Sequence, residues 1–153
     1  MVISPLFPWF DRPACRRRSG ACHSESFGYP RDVRELNGWI VTVVEVRFMP
    51  ELEAPSEKPY PFLYAIAIRN ESDETVTLRG RKWVVREDNG DTVVVEGEGV
   101  IGEMPVFEKG AEFSYNSYHV VADSAKVQGA YFGETDAGEK VFARIPEFRL
   151  MVP

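Results

Sequence analysis

The stretch from Trp39 to Phe48 reads WIVTVVEVRF, and its alternation of apolar and polar side chains decides the fold class. A period of two residues is typical of a β-strand that buries one face and exposes the other. We expect Ile40, Val44 and Val46 to lie on the buried face of this strand, with Phe48 following in phase. The pattern predicts a domain built from strands that starts near residue 39.

The same alternation continues to the end of the chain, and no stretch has the period of an amphipathic helix. We predict further strands at residues 61–70, at Val76 and Leu78, at 83–86, 92–95, 112–118, 126–132 and 140–145, and in a final run at 148–152. Pro146 should limit that final run to an edge or to a short strand. About eight strands at this spacing predict an all-β domain, either a sandwich or a closed barrel, and a sandwich is the commoner fold at this size.

Charge divides the chain into two parts. The whole chain of 153 residues has a net charge of -6. Residues 1–38 hold six Arg against four acidic residues, net +2, whereas residues 39–153 hold 12 basic against 20 acidic residues, net -8. We therefore predict an irregular N-terminal extension at 1–38, partly disordered or packed on the domain, and a single domain at 39–153. The acidic domain argues against nucleic-acid and anionic-membrane partners.

Both cysteines lie in the predicted extension, so a disulfide between them would not brace the domain. Cys15, Cys22 and His23 would make three soft metal ligands, but a structural zinc site needs four. We therefore expect free thiols, no metal and no cofactor. The apolar start of the chain is interrupted by Pro5 and Pro8 and has no positive region before it, unlike a signal peptide. A cytoplasmic location is expected.

The run Gly97-Glu98-Gly99-Val100-Ile101-Gly102 matches the dinucleotide fingerprint G-x-G-x-x-G. That fingerprint works where the glycines join a strand to the N-terminus of a helix, and no helix pattern follows here. Glu98 and Glu103 would also repel an anion. We interpret the segment as a long loop between strands, whose glycines permit positive φ angles or a close approach of the backbone.

Six short motifs follow one another along the domain: Val44-Glu45-Val46 with Phe48, YAIAIRN at 64–70, Arg81-Lys82-Trp83, GEGVIGEMP at 97–105, Phe113-x-Tyr115-x-Ser117, and Ile145-Pro146-x-Phe148-x-Leu150. In this order and spacing they resemble the ApaG family over nearly all of residues 39–152. The resemblance implies a fibronectin type III-like, and so immunoglobulin-like, β-sandwich. Lys82 stands where the family has a histidine, so any role of that imidazole does not carry over.

The resemblance also implies a function. Bacterial members of the family are associated with cobalt resistance and magnesium efflux and have no established catalytic activity. Similar domains occur in a eukaryotic F-box substrate receptor and in a polymerase-delta-interacting protein, where they look like protein-binding modules. The family therefore implies a non-catalytic module with a protein partner.

The residues themselves offer little for catalysis. His119 is the only histidine of the domain. We expect Ser117 and His119 to point to opposite faces of one strand, which would keep them from acting as nucleophile and base. The acidic turns lack the spacing of a calcium loop. We therefore do not expect an enzyme.

A binding module is the preferred interpretation, because a sandwich presents edge strands and end loops to a partner. The candidate binding loop contains Gly97, Gly99, Gly102, Glu103 and Pro105. We expect substitution of Gly99 or Gly102 by valine to impair partner capture more than folding.

Residues 81–83 are further candidates for the partner-binding surface, although Trp83 is expected in the core. The alternative is phosphate, pyrophosphate or nucleotide binding by the same loop, with Arg79, Arg81 and Lys82 as the basic side chains.

Overall fold

Residues 32–153 are described by a computed structural model, and this part of the chain contains nine strands and no helix. The strands are β1 (Arg34–Glu35), β2 (Trp39–Phe48), β3 (Tyr60–Asn70), β4 (Val76–Glu87), β5 (Thr92–Glu98), β6 (Val106–Phe107), β7 (Glu112–Val121), β8 (Ala125–Thr135) and β9 (Lys140–Leu150). The expectations for Cys15, Cys22 and His23, and for most of the N-terminal extension, concern positions outside the described residues.

The strands form two sheets that pack face to face. A six-stranded sheet has the order β1-β9-β8-β4-β5, with the short β6 paired to β4, and a three-stranded sheet has the order β2-β3-β7. Neighbouring strands are antiparallel except for β1 and β9. On one side of the sandwich β2 lies close to β9. On the other side β5 and β7 form the edges of their sheets. The predicted all-β, fibronectin type III-like sandwich is confirmed.

The buried face of β2 differs from the prediction because the strand contains a β-bulge. Trp39 and Val41 point into the core, whereas Ile40 is 44% exposed. The bulge falls at Val44, which has no partner in β3 and is 64% exposed. One extra residue reverses the alternation, so Val46 packs against the core again. The prediction was wrong for Ile40 and Val44 and correct for Val46.

Two pairs of predicted strands are single strands interrupted by bulges. β4 runs from Val76 to Glu87, with a bulge between Leu78 and Gly80. β9 runs through Pro146, where its register with β8 shifts. Among the strands of residues 32–153, β8 alone is hydrogen-bonded to β9 at that point, since β1 reaches no further than Phe142. A proline fits an edge strand or a bulge because neither position requires its missing N–H.

The sandwich begins a few residues before position 39. β1 pairs in parallel with β9, and the backbone N–H of Leu36 donates to the carbonyl oxygen of Phe142 at 3.0 Å. Leu36 itself is only 3% exposed and belongs to the core. Residues 34–36 of the segment predicted as an extension therefore pack on the domain.

Candidate functional site

A cleft of about 440 Å³ opens on the side of the sandwich where β5 and β7 form the sheet edges. We call it the edge cleft. Alternate residues of a strand share a face, so β4 and β5 each contribute every second side chain, whereas the edge strand β7 contributes four consecutive residues. The lining residues are Tyr64 of β3; Arg81, Trp83 and Val85 of β4; Val93 and Val95 of β5; Ser117, Tyr118, His119 and Val120 of β7; and Glu53, Pro55 and Lys58 of the loop between β2 and β3.

Arg81 occupies one end of the edge cleft, in phase with the apolar inward positions of β4. Its Nη1 donates to the carbonyl oxygens of Glu98 and Gly99, at 2.9 and 2.8 Å. Gly97 lies opposite Arg81 in β5, and a Cβ there would stand 2.9 Å from the guanidinium carbon. Within residues 32–153 no carboxylate pairs with Arg81. The sandwich therefore holds a cation at this end whose partners are neutral carbonyls.

Three tyrosines lie beneath this cation. Burial raises the pKa of Tyr64, while a hydrogen bond with Ser117 and the charge of Arg81 oppose that rise. The hydroxyls of Tyr115 and Tyr131 are bonded to each other, and burial raises the pKa of both phenols. All three are neutral at pH 7, so they place no negative charge beside Arg81.

His119 packs in the wall of the edge cleft. Its imidazole stacks on Tyr64 with ring centroids 4.8 Å apart and meets Trp83 edge-on at 5.3 Å. Burial lowers the pKa of His119 to about 4, so the ring is neutral at pH 7. Its Nε2 is buried and has no hydrogen-bond partner. The site therefore contains an unpartnered polar atom.

The expectation that Ser117 and His119 point to opposite faces was wrong. Residues two apart in a strand share a face, and both side chains line the edge cleft. The Ser117 hydroxyl nevertheless bonds with Tyr64, while Nε2 of His119 is unpartnered. The imidazole nitrogen Nε2 therefore does not hold the hydroxyl as a general base would.

The other end of the edge cleft is fixed by Glu87, whose side chain is fully buried at the end of β4. It is bonded to Lys58 and accepts the backbone N–H groups of Ala122 and Asp123, at 2.5 and 3.0 Å. Burial raises the pKa of the carboxyl, but these three bonds lower it to a net value below the ordinary one. One carboxylate thus joins the β2–β3 loop to the turn after β7.

The segment of residues 97–105, which we call the glycine loop, begins with the last two residues of β5 and then turns as a tight hairpin. Val100 and Glu103 exchange two backbone hydrogen bonds of 2.9 Å. Between them Ile101 and Gly102 have φ angles of 43° and 76°, as in a type I′ turn. Gly99 has a φ of 58°, and a Cβ there would be 2.1 Å from the carbonyl oxygen of Glu103. The interpretation of these glycines as backbone requirements is confirmed.

This geometry changes the expectation for valine variants. At Gly99 a side chain would collide with backbone, so substitution should damage the hairpin itself. At Gly102 a Cβ would meet nothing within 4 Å, although the φ angle still favours glycine. The amides of Gly99, Val100 and Glu103 are moreover bonded within the protein, to Arg79, Glu103 and Val100 respectively. Pro105 likewise uses its carbonyl oxygen to accept the amide of Leu78.

The structure does not bring the three predicted basic residues together. Arg81 points into the edge cleft, whereas Lys82 lies on the outer face of the sheet and pairs with Glu96 at 3.7 Å. Arg79 lies at the bulge of β4, and its Nη1 is 3.7 Å from the sulfur of Met104. Only Arg81 of the three therefore contributes to the cleft.

Sequence reasoning missed most of the cleft. It placed Trp83 in the core correctly, since this side chain is 1% exposed. It gave no role to Tyr64 or His119, because their meeting depends on the pairing of β3 with β7. The available signal was Arg81, a charged residue in phase with Trp83 and Val85 on an inward face.

Between residues 32 and 153 there is no cluster of three or more His, Cys, Asp or Glu residues that could hold a metal ion. No helix long and apolar enough to cross a bilayer occurs in that range.

Known proteins resemble this chain both in sequence and in fold. A family model described as the ApaG domain matches residues 50–135. The Protein ApaG of Rhodopseudomonas palustris is 39% identical over 121 residues, which are 78% of this chain and 93% of the relative. That of Shewanella loihica is 37% identical over 122 residues, 79% of this chain and 97% of the relative. A crystal structure of a protein described as ApaA from Bordetella pertussis superposes with a TM-score of 0.66 at 27% identity, covering 79% of this chain and 98% of the other. The chain belongs to the ApaG family.

Proposed function

We propose that this protein is a non-catalytic binding module that holds an extended segment of a partner protein in the edge cleft. The observation that carries the proposal is the cleft itself, which lies between two sheet edges and has a mainly apolar wall. Its volume of about 440 Å³ falls within the range of about 300–1,000 Å³ that is typical of ligand sites.

The apolar wall comes from the inward residues of β4 and β5, among them Trp83, Val85, Val93 and Val95. Apolar side chains of a partner would lose contact with water there. β5 and β7 also end their sheets, so each carries backbone groups on the side away from its neighbour. A segment in extended conformation can pair with such an edge while its alternate side chains enter the cleft.

The glycine loop has a supporting role in this proposal. Arg81 fastens its first residues to β4, so the loop is joined to the edge cleft through this one side chain and contributes no lining residue of its own. Phosphate or nucleotide binding by the loop has less support, because several of its amides are bonded internally and Lys82 lies on the outer face. Calorimetric titration with ATP or pyrophosphate tests that alternative, and measurable heat of binding would restore it.

The family's association with cobalt resistance and magnesium efflux fits a module that acts through a protein. On this proposal the chain would influence metal handling through its partner. A cobalt titration at neutral pH tests for direct metal binding, and a stoichiometric response would contradict this part of the proposal.

A displayed library of short random peptides tests the proposal directly. The full chain should enrich binders, and Val95→Asp should abolish their binding because the new charge would enter the apolar wall. Val94→Asp is the matched control, since Val94 neighbours Val95 in β5 but is exposed on the outer face. Thermal unfolding of both variants verifies folding. A library that yields no binders, or binders that tolerate Val95→Asp as well as Val94→Asp, would refute the cleft as the binding site.

A further inference from the structure

We propose that the edge cleft recognises a carboxylate, which the guanidinium of Arg81 binds while the apolar wall holds the adjacent part of the ligand. This inference rests on the proposed function and specifies the chemistry of the segment that the cleft takes.

The first argument is the incomplete pairing of Arg81. A guanidinium carries several N–H donors in a planar fork. In this structure Nη1 serves two carbonyl oxygens of the glycine loop, and no carboxylate within residues 32–153 pairs with the group. A cation turned toward the inside of a sandwich usually needs an anionic partner. A carboxylate can accept two parallel hydrogen bonds from such a fork.

The second argument is the neutrality of the groups next to Arg81. The groups below Arg81 are the phenols of Tyr64, Tyr115 and Tyr131, which are uncharged at neutral pH. The other cation of the cleft wall, Lys58, is already paired with Glu87. The β2–β3 loop also brings the acidic residue Glu53 to the cleft wall. An incoming carboxylate would therefore meet an uncompensated positive charge at Arg81, whereas the β2–β3 loop presents a paired Lys58 and the acidic Glu53.

The third argument is His119. Its Nε2 is buried without a hydrogen-bond partner, in the same wall as Arg81. A buried polar atom that lacks a partner costs about 1–3 kcal/mol. Because Nε2 is closed to solvent in this structure, the imidazole would have to turn toward the cleft before a ligand could supply that partner, so His119 is a second contact to test and Arg81 remains the main group of the inference.

The charge of the domain makes this recognition selective. Residues 39–153 carry a net charge of -8, so most of the surface repels an acidic segment. The Arg81 end of the cleft is a local exception. The carboxylate can come from an Asp or Glu side chain within the segment or from the end of a polypeptide chain, and both present the same group to the guanidinium.

Phenylacetate and phenylacetamide form a suitable probe pair, because they share the aromatic group and differ in the carboxylate. Titrated at millimolar concentration into the isotope-labelled full chain, phenylacetate should shift the backbone resonance of Gly97 and the side-chain resonances of Trp83 and His119. Phenylacetamide should bind at least about tenfold more weakly, because it lacks the charge-assisted bonds. Equal affinity for the two probes, or no shifts with either, would overturn the inference.

Arg81→Gln should remove the preference for phenylacetate, and Lys82→Gln is the matched control on the outer face of the same strand. Arg81→Lys keeps the charge but not the planar fork, so we expect intermediate affinity. If Arg81→Gln lowers stability, the comparison of the two probes on the unaltered chain still decides the question.

Peptides selected from the displayed library identify the source of the carboxylate. Each is synthesised with a free or an amidated C-terminus, and with each acidic side chain replaced by its amide. A loss of affinity of about tenfold with one of these changes supports the inference and names the source. Peptides that bind equally well after both changes would overturn the carboxylate inference while leaving the proposed function intact. Failure of every peptide to bind would instead refute the proposed function.

Discussion

Acidification from about pH 7.5 to about pH 5 should destabilise the sandwich through His119. The imidazole is packed between Tyr64 and Trp83, and burial lowers its pKa from the ordinary 6.5 to about 4. In this window the unfolded chain binds a proton at His119 and the folded chain does not. Stability therefore rises with pH between about 4 and 6.5 and is lost as the pH falls.

The magnitude follows from the two pKa values. At about pH 5 the unfolded state gains about 2 kcal/mol from protonation that the folded state lacks, and below about pH 4 the difference approaches about 3 kcal/mol. Glu87 contributes little to the pH dependence of stability in this range, because its pKa lies below the ordinary 4.5 in the folded protein. The steep part of the curve between pH 6.5 and pH 5 should thus belong mainly to His119.

Urea unfolding at a series of pH values, followed by tryptophan fluorescence, measures this effect. The comparison is His119→Gln, which keeps a polar side chain but cannot titrate. We expect the unfolding free energy of the original protein to fall by about 2 kcal/mol more than that of the variant between about pH 7.5 and pH 5. Parallel curves for the two proteins, or an imidazole that titrates near pH 6.5 in the folded state, would refute the reasoning.

Urea unfolding also measures the effect of substitutions at four other positions. Gly102→Ala should lower the free energy of unfolding by about 1–2 kcal/mol, because the φ angle at this position is left-handed. Gly99→Ala should lower it further, since the new Cβ would also collide with backbone. Equal losses for the two variants would contradict the collision. Glu87→Gln should cost about 3 kcal/mol, because it leaves Lys58 without its partner, and a neutral effect would contradict that pairing. Asn70→Ala should also cost about 3 kcal/mol, because the buried amide donates to two backbone carbonyls. The control Asn70→Asp keeps the shape without those donors and should be equally destabilised; if it retains full stability, the donors are unimportant.

The strands that sequence predicted well are those with an unbroken alternation over several residues, such as β3 and β7. The short strands β1 and β6 have two residues each, which is too few to show a period. The errors in β2 arose at Val44, where a bulge adds a residue. A bulge exists because of the partner strand, so it leaves no mark in the local pattern. The buried face of β2 could therefore be predicted only in the half beyond that residue.

The glycine loop could be predicted from sequence because its requirements are local. The positive φ angle at Gly102 and the close backbone approach at Gly99 are local requirements that glycine alone meets at low cost. The edge cleft has no such local signature, since its walls come from strands that are distant in sequence. Arg81 connects the two features: the guanidinium that fastens the glycine loop also lines the cleft. A ligand carboxylate that bound Arg81 would therefore meet the same side chain that holds the loop, so binding in the cleft should also change the mobility of the loop.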